Sequence, residues 1–122
     1  MATSRICILG GGGFVGSHLI PHLSNLGIAS RVITRHPQRH RDLAVNLGCE
    51  LVTADLFNSD SLASRFSGCD AVINLIGILN EQGENQTFRR FHVELVDLVV
   101  DACRKAGVRR LMHMLSLIHI SE

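Results

Sequence analysis

The sequence predicts a doubly wound α/β domain: a five-stranded parallel sheet in the order 3-2-1-4-5, with helices on both faces. Three observations predict it. The apolar run Ile6-Cys7-Ile8-Leu9 breaks into Gly10-Gly11-Gly12-Gly13-Phe14-Val15-Gly16 and then resumes at helical spacing, a strand–turn–helix junction. Strand-like and helical patterns then alternate as βαβαβαβαβ with short connections, which calls for a parallel sheet. The chain has 122 residues, 46% of them hydrophobic, enough for one cored domain and too few for two.

Each element has its own signal. Ile6 to Leu9 is apolar throughout, as a strand buried on both faces requires. Phe14 to Leu26 follows as a helix, with Val15, Leu19, Leu23 and Leu26 on one face and Gly27 as its stop. Ile28 to Thr34 is the second strand. Pro37 suits the first turn of a second helix running to about Leu47, ended by Gly48. Glu50 to Ala54 is the third strand, and Asn58 or Ser59 caps a short helix through Phe66. Ala71 to Leu75 is the fourth strand. After a polar loop, a long helix from about Thr87 to Ala106 carries Phe88, Phe91, Leu95, Leu98, Val99 and Ala102 on one face. The Phe88 and Phe91 pair reads as core, and Asp97 and Asp101 with Arg104 and Lys105 read as surface pairing. Arg110 to Met114 is the fifth strand.

The glycine run carries the chemistry. Gly11, Gly13 and Gly16 satisfy G-x-G-x-x-G, while Gly10, Gly13 and Gly16 satisfy the wider G-x-x-G-x-x-G. One glycine permits a tight turn, a second lets the backbone approach a pyrophosphate, and a third lets helix pack closely on strand. The helix beyond opens with free N–H groups and the positive end of its dipole facing the phosphates. The expected dinucleotide lies at the switch point between strands 1 and 4. The next determinant falls at the end of strand 2, where a carboxylate would favour NAD. Here that position reads Thr34-Arg35-His36, with Arg39 and Arg41 following. Arg35 offers a fork-shaped cation for a 2′-phosphate, so NADP(H) is expected over NAD(H).

Composition excludes other classes. A net charge of +1 gives no field for nucleic acid or a membrane surface, although no acid precedes Asp42 and five arginines do. Cys7, Cys49, Cys69 and Cys103 are scattered with no C-x-x-C spacing, and read as buried free thiols in a reducing compartment. His18 and His22, like His36 and His40, have the spacing of a zinc-binding helix face, but no third and fourth ligand is near, so no metal is expected. Only Met1 to Arg5 precede the first strand, so no leader is expected, and the apolar run from Ala71 to Leu79 is too short to cross a bilayer and contains Asn74. A cytoplasmic protein is expected. The final eight residues, LSLIHISE, match codon for codon the translation of a transposon-end sequencing adapter, CTG TCT CTT ATA CAC ATC TCC GAG. The expected organisation is a nucleotide-binding domain over residues 1–114, the amino-terminal half of a longer protein, with 115–122 as adapter read-through.

The motifs ILGGGGFVGSHL, TADL (Thr53 to Leu56), VINLIG (Val72 to Gly77) and AGVRRLMHM (Ala106 to Met114) together resemble the amino-terminal part of an atypical short-chain dehydrogenase/reductase. The resemblance covers essentially all of residues 1–114. Its subgroup is similar to the nucleotide-binding accessory subunit of respiratory complex I and its bacterial relatives, which belong with the NAD-dependent epimerase/dehydratase-like proteins. It implies a Rossmann-type fold in which Gly10, Gly13 and Gly16 flank the pyrophosphate and Phe14 and Val15 supply backbone donors. Arg35 would meet the ribose phosphate, and Asp55 and Leu56 would touch the adenine. Leu75, Ile76 and Gly77 would line the ribose and nicotinamide side. Bland readings stand beside these: Asp55 as a loop or capping residue, and Leu75 and Ile76 as core.

The chain contains no tyrosine, so the Tyr-x-x-x-Lys proton donor of such reductases is not in it. Residues 1–114 therefore read as a cofactor-binding half with no catalytic residue of their own. The resemblance implies a non-catalytic, NAD(P)(H)-binding accessory or assembly subunit, peripheral on a respiratory complex. Two alternatives stay open: the cofactor-binding half of an NAD(P)-dependent reductase or sugar-nucleotide epimerase, and a redox-sensing NADP(H)-binding regulator.

Overall fold

A computed structural model describes residues 4–10, 14–34, 37–46, 48–76 and 85–113. In chain order these form β1 (Arg5–Leu9), α1 (Phe14–Asn25), β2 (Ala29–Ile33), a 3-10 helix (Pro37–Val45), β3 (Cys49–Val52), α2 (Ser59–Phe66), β4 (Ala71–Asn74), α3 (Asn85–Ala106) and β5 (Leu111–His113). The five strands make one sheet in the order β3-β2-β1-β4-β5, and every pairing is parallel. This is the predicted doubly wound sheet. β1 lies at its centre, with Leu9 opposite Ile33 of β2 and Asn74 of β4.

Side-chain alternation splits the core in two. Cys7 and Leu9 face α2 and α3, joining Ile33, Leu62, Phe66, Val72, Leu95, Val99 and Ala102. Ile8 faces the other way, onto Ile20 and Leu23 of α1, Leu43 of the 3-10 helix, Val32 and Leu75. Leu26, expected on the buried face of α1, is instead 61% exposed. It sits past the helix end, where a reversal through Gly27 (φ +78°) breaks the helical period. There Gly27 N–H donates to the Ser24 carbonyl and Ile28 N–H to the Leu23 carbonyl, the paired bonds of a Schellman stop. Ile20, not among the residues expected on the buried face, is fully buried.

The segment from Pro37 differs from the expected α-helix: it winds as a 3-10 helix and stops at Val45. Leu43 is its buried anchor, while Arg41, Asp42 and Val45 are exposed, so little apolar packing draws it into α geometry. Asn58 caps α2 as expected, its Oδ1 accepting from the N–H groups of Asp60 and Ser61. The far end of α2 is held from the sheet. Arg31, on β2, donates through Nη1 to the carbonyls of Arg65 (2.7 Å) and Ser67 (3.1 Å), and through Nε to Glu50 on the neighbouring strand (3.0 Å). A cation belongs at that negative end of the helix dipole. On the outer side, Lys105 of α3 reaches both Asp60 (2.8 Å) and Asp101 (3.4 Å), the surface pairing expected for Asp101.

Candidate functional site

The ends of three strands converge on Gly10. It follows Leu9 directly, its N–H points at the Ile33 carbonyl at the end of β2 (3.4 Å), and its Cα faces the chain leaving β4. A Cβ built there would stand 3.0 Å from Ile76 Cγ1, 3.1 Å from Ile76 N and 3.2 Å from the Leu75 carbonyl carbon. The backbone is left-handed, at φ +80°. Gly10 therefore performs the first of the three glycine roles, the tight turn. It lets β1 and β4 close up at the switch point, the crevice where open α/β sheets bind ligands.

Gly16, the glycine expected to let the helix pack on the strand, is buried in the first turn of α1. Phe14 and Val15 are the opening residues of that helix, whose 12 residues leave their first N–H groups outside the intrahelical ladder. No acidic residue lies in this first turn, so no side chain of α1 competes with an anion there. The chemistry of this corner fits a diphosphate. Gly13, Arg35 and Gly77 lie outside the described residues.

On the β3 side, Asp55 is exposed in the loop following the strand. Its carboxylate accepts from the Phe57 N–H (3.0 Å), and its own N–H donates to Ser61 Oγ (3.0 Å). This is the bland role foreseen for it, a turn-holding carboxylate, and it fixes the backbone of Asp55 and Leu56 at the rim. Leu56 is half-buried against the α2–α3 core. Leu75 continues the ladder, its N–H bonded to the Leu9 carbonyl (2.9 Å), while its side chain is buried in the α1 core. What Leu75 can present to a ligand is main chain. Ile76 is half-buried beside Gly10.

Two residues that sequence reasoning passed over sit at the carboxyl end of β4 and β5. Asn74, 5% exposed, accepts from the Ile76 N–H through Oδ1 (3.0 Å), and its amide nitrogen lies 3.2 Å from Nδ1 of His113. Because Oδ1 is committed to an N–H, the amide nitrogen must donate and Nδ1 must accept. The imidazole is thereby fixed as the neutral Nε2–H tautomer. Nε2 is buried with no partner among the described residues, and desolvation holds the His113 pKa below the ordinary histidine value. The available signal was a single polar residue, Asn74, ending an otherwise apolar strand.

Among the described residues, no group of three His, Cys, Asp or Glu side chains is arranged to hold a metal ion, and no helix is long and apolar enough to cross a membrane.

Comparison with known proteins agrees with this geometry. A family profile described as NAD(P)H-binding matches residues 10–122. Anthocyanidin reductase of Arabidopsis thaliana is 25% identical over 98% of this chain and 38% of its own length. Ceramide reductase of Caulobacter vibrioides is 31% identical over 88% of this chain and 33% of its own length. The structure of UDP-N-acetylglucosamine 4-epimerase from Bacillus cereus superposes with a TM-score of 0.73 at 22% identity, covering 91% of this chain and 35% of that one; at that identity the likeness is one of fold. The chain spans between a third and two fifths of the length of these curated relatives.

Proposed function

This chain belongs to the NAD(P)H-binding family, and from that premise we propose that it is the cofactor-binding part of an NAD(P)-dependent reductase of the atypical short-chain kind. The observation that carries the proposal is the crevice at Gly10, where β1, β2 and β4 end together below the start of α1. When bound, the nicotinamide ring supplies or accepts the hydride. The chain's own part is to bind and orient. Main-chain N–H groups of Gly13, Phe14 and Val15 hold the diphosphate, and Asp55 and Leu56 border the adenine. Leu75, Ile76 and Gly77 lie along the ribose and nicotinamide. Arg35, two residues beyond the end of β2, is proposed to meet a 2′-phosphate and to favour NADP(H).

Both curated relatives named above are reductases, and this favours the catalytic reading over the accessory-subunit one. The accessory reading rests on the motifs TADL, VINLIG and AGVRRLMHM and on the arginine-rich second turn. In the reductase reading, the proton donor lies beyond Met114.

The test is a titration with NADPH and NADH, read by calorimetry because the chain has neither tryptophan nor tyrosine. One dinucleotide should bind per chain, with NADPH tighter by roughly tenfold. Arg35→Asp should remove that preference while sparing NADH. Failure of both cofactors to bind sinks the proposal; equal affinities remove only the role of Arg35.

A further inference from the structure

The main chain leaving β4 reaches the Gly10 crevice on two kinds of support. Leu75 is held by the sheet itself, its N–H bonded to the Leu9 carbonyl (2.9 Å). The Ile76 N–H goes instead to a side chain, the Oδ1 of Asn74 (3.0 Å), and a methyl on Gly10 would come within 3.1 Å of that same nitrogen. The amide that holds Ile76 is in turn engaged by β5, at the edge of the sheet. Asn74 and His113 are register partners, and the Asn74 amide nitrogen lies 3.2 Å from His113 Nδ1. Both lie two residues past core positions, Val72 and Leu111, and so share the α2–α3 face of the sheet. One primary amide thus ties the wall of the crevice to a group of the kind that titrates near neutral pH.

We propose that protonating His113 unlatches Ile76 from Asn74 and so weakens dinucleotide binding at Gly10, an inference that rests on the reading of that crevice as the cofactor site. The neutral ring accepts from the Asn74 amide through Nδ1, and a proton on Nδ1 sets N–H against N–H. The other side of the ring gives no relief, because Nε2 is buried with no partner among the described residues. The conflict therefore falls on Asn74. Turning its amide over offers Oδ1 to His113 and leaves the Ile76 N–H facing a donor. Ile76 must then shift, and it is Leu75 and Ile76 that close on Gly10. Among the described residues, the charged groups of the surrounding elements are exposed or paired elsewhere. β4 carries none, and Asp70 before it accepts the Arg5 N–H at the far end of the sheet. Arg109 and Arg110, before β5, are exposed, as are Glu94, Asp97 and Arg104 of α3. Lys105 pairs with Asp60 and Asp101, Arg65 donates to the Thr53 carbonyl, and Cys103 is a buried thiol. Burial is accordingly the cause that lowers the His113 pKa. The dinucleotide favours the neutral ring, so by reciprocity bound cofactor lowers that pKa further. Affinity is full above the cofactor-free pKa, which lies below 6.5, and falls as pH drops through it.

The test combines NMR with calorimetry on the whole chain. Without cofactor, the His113 ring signals and the Ile76 amide should titrate with one common midpoint, and the Ile76 amide should lose exchange protection below it. The dissociation constant of NADP+, which is stable in acid, should rise roughly fivefold or more between pH 7.5 and pH 5.0. Saturating NADP+ should lower the His113 midpoint. His113→Gln stays neutral and should lose most of the rise in dissociation constant. Titration of the cofactor's own phosphate and of the remaining histidines is common to both chains and cancels in the comparison. An Ile76 amide indifferent to His113 protonation, or the same rise in His113→Gln as in the parent, overturns the latch. If NADP+ binds at neither pH, the reading of the crevice as a cofactor site fails, and the inferred control of binding falls with it. The Ile76 amide then still shows whether His113 releases it. If His113→Gln does not fold, the common midpoint and its displacement by NADP+ in the parent chain decide alone.

Discussion

At Gly10 a left-handed backbone and a crowded neighbour act together. Alanine there must adopt φ near +80° and push its methyl against the Ile76 backbone nitrogen at 3.1 Å, which cannot rotate away as a side chain could. The conformational term alone costs about 1–2 kcal/mol. Gly10→Ala is therefore expected to lower unfolding stability by about 2 kcal/mol or more, read from a urea midpoint, and to weaken dinucleotide binding in parallel. The glycine spacing made this residue visible in the sequence, because backbone demands act locally and leave a local mark. Arg31 left none. Its partners are carbonyls at the end of α2, 34 and 36 residues away, and nothing in the composition of β2 marks it as the one that turns inward. The Asn74–His113 contact spans 39 residues and depends on the register of β4 against β5. Such pairs become legible only once the strands are in place.

Among the elements, α2 shows how local and distant signals divide the work. Its start is a local matter. Asn58 accepts two otherwise orphaned N–H groups, and the turn before it is held by Asp55. Asn58→Ala should cost about 1 kcal/mol, while Asn58→Asp should keep most of the stability, and thermal or urea unfolding distinguishes them. The α2 end depends on Arg31 reaching across from β2, and no helix-propensity argument finds that. The 3-10 helix is the opposite case. Pro37 opens the helical segment as expected, yet it ends at Val45 rather than at Gly48, and the choice between 3-10 and α winding was decided by how little of it is buried. In α3 the reading held at Leu95, Val99 and Ala102, all buried, because a long amphipathic stripe averages over local uncertainty.

For the molecule as a whole, the sheet order followed from alternation and short connections, while its response to pH comes from one contact at the carboxyl edge. The Asn74 amide is oriented by the Ile76 N–H and so presents a donor to His113 Nδ1, which only the neutral ring can accept. Protonating the ring would set N–H against N–H and place charge where Nε2 has no partner among the described residues. The folded pKa of His113 accordingly lies below its unfolded value of about 6.5. Because the unfolded chain then binds the proton more readily, stability is full above that value and is lost as pH falls through the folded pKa. Urea midpoints taken at pH 7.5 and pH 5.5 should therefore differ more for the parent chain than for His113→Gln. Asn74→Asp makes the sharper comparison. A carboxylate at that position can accept from a protonated Nδ1, so His113 should gain rather than lose stability on protonation, and the acid-side loss should shrink or reverse. An unchanged pH dependence in both variants would place the sensitivity elsewhere in the chain.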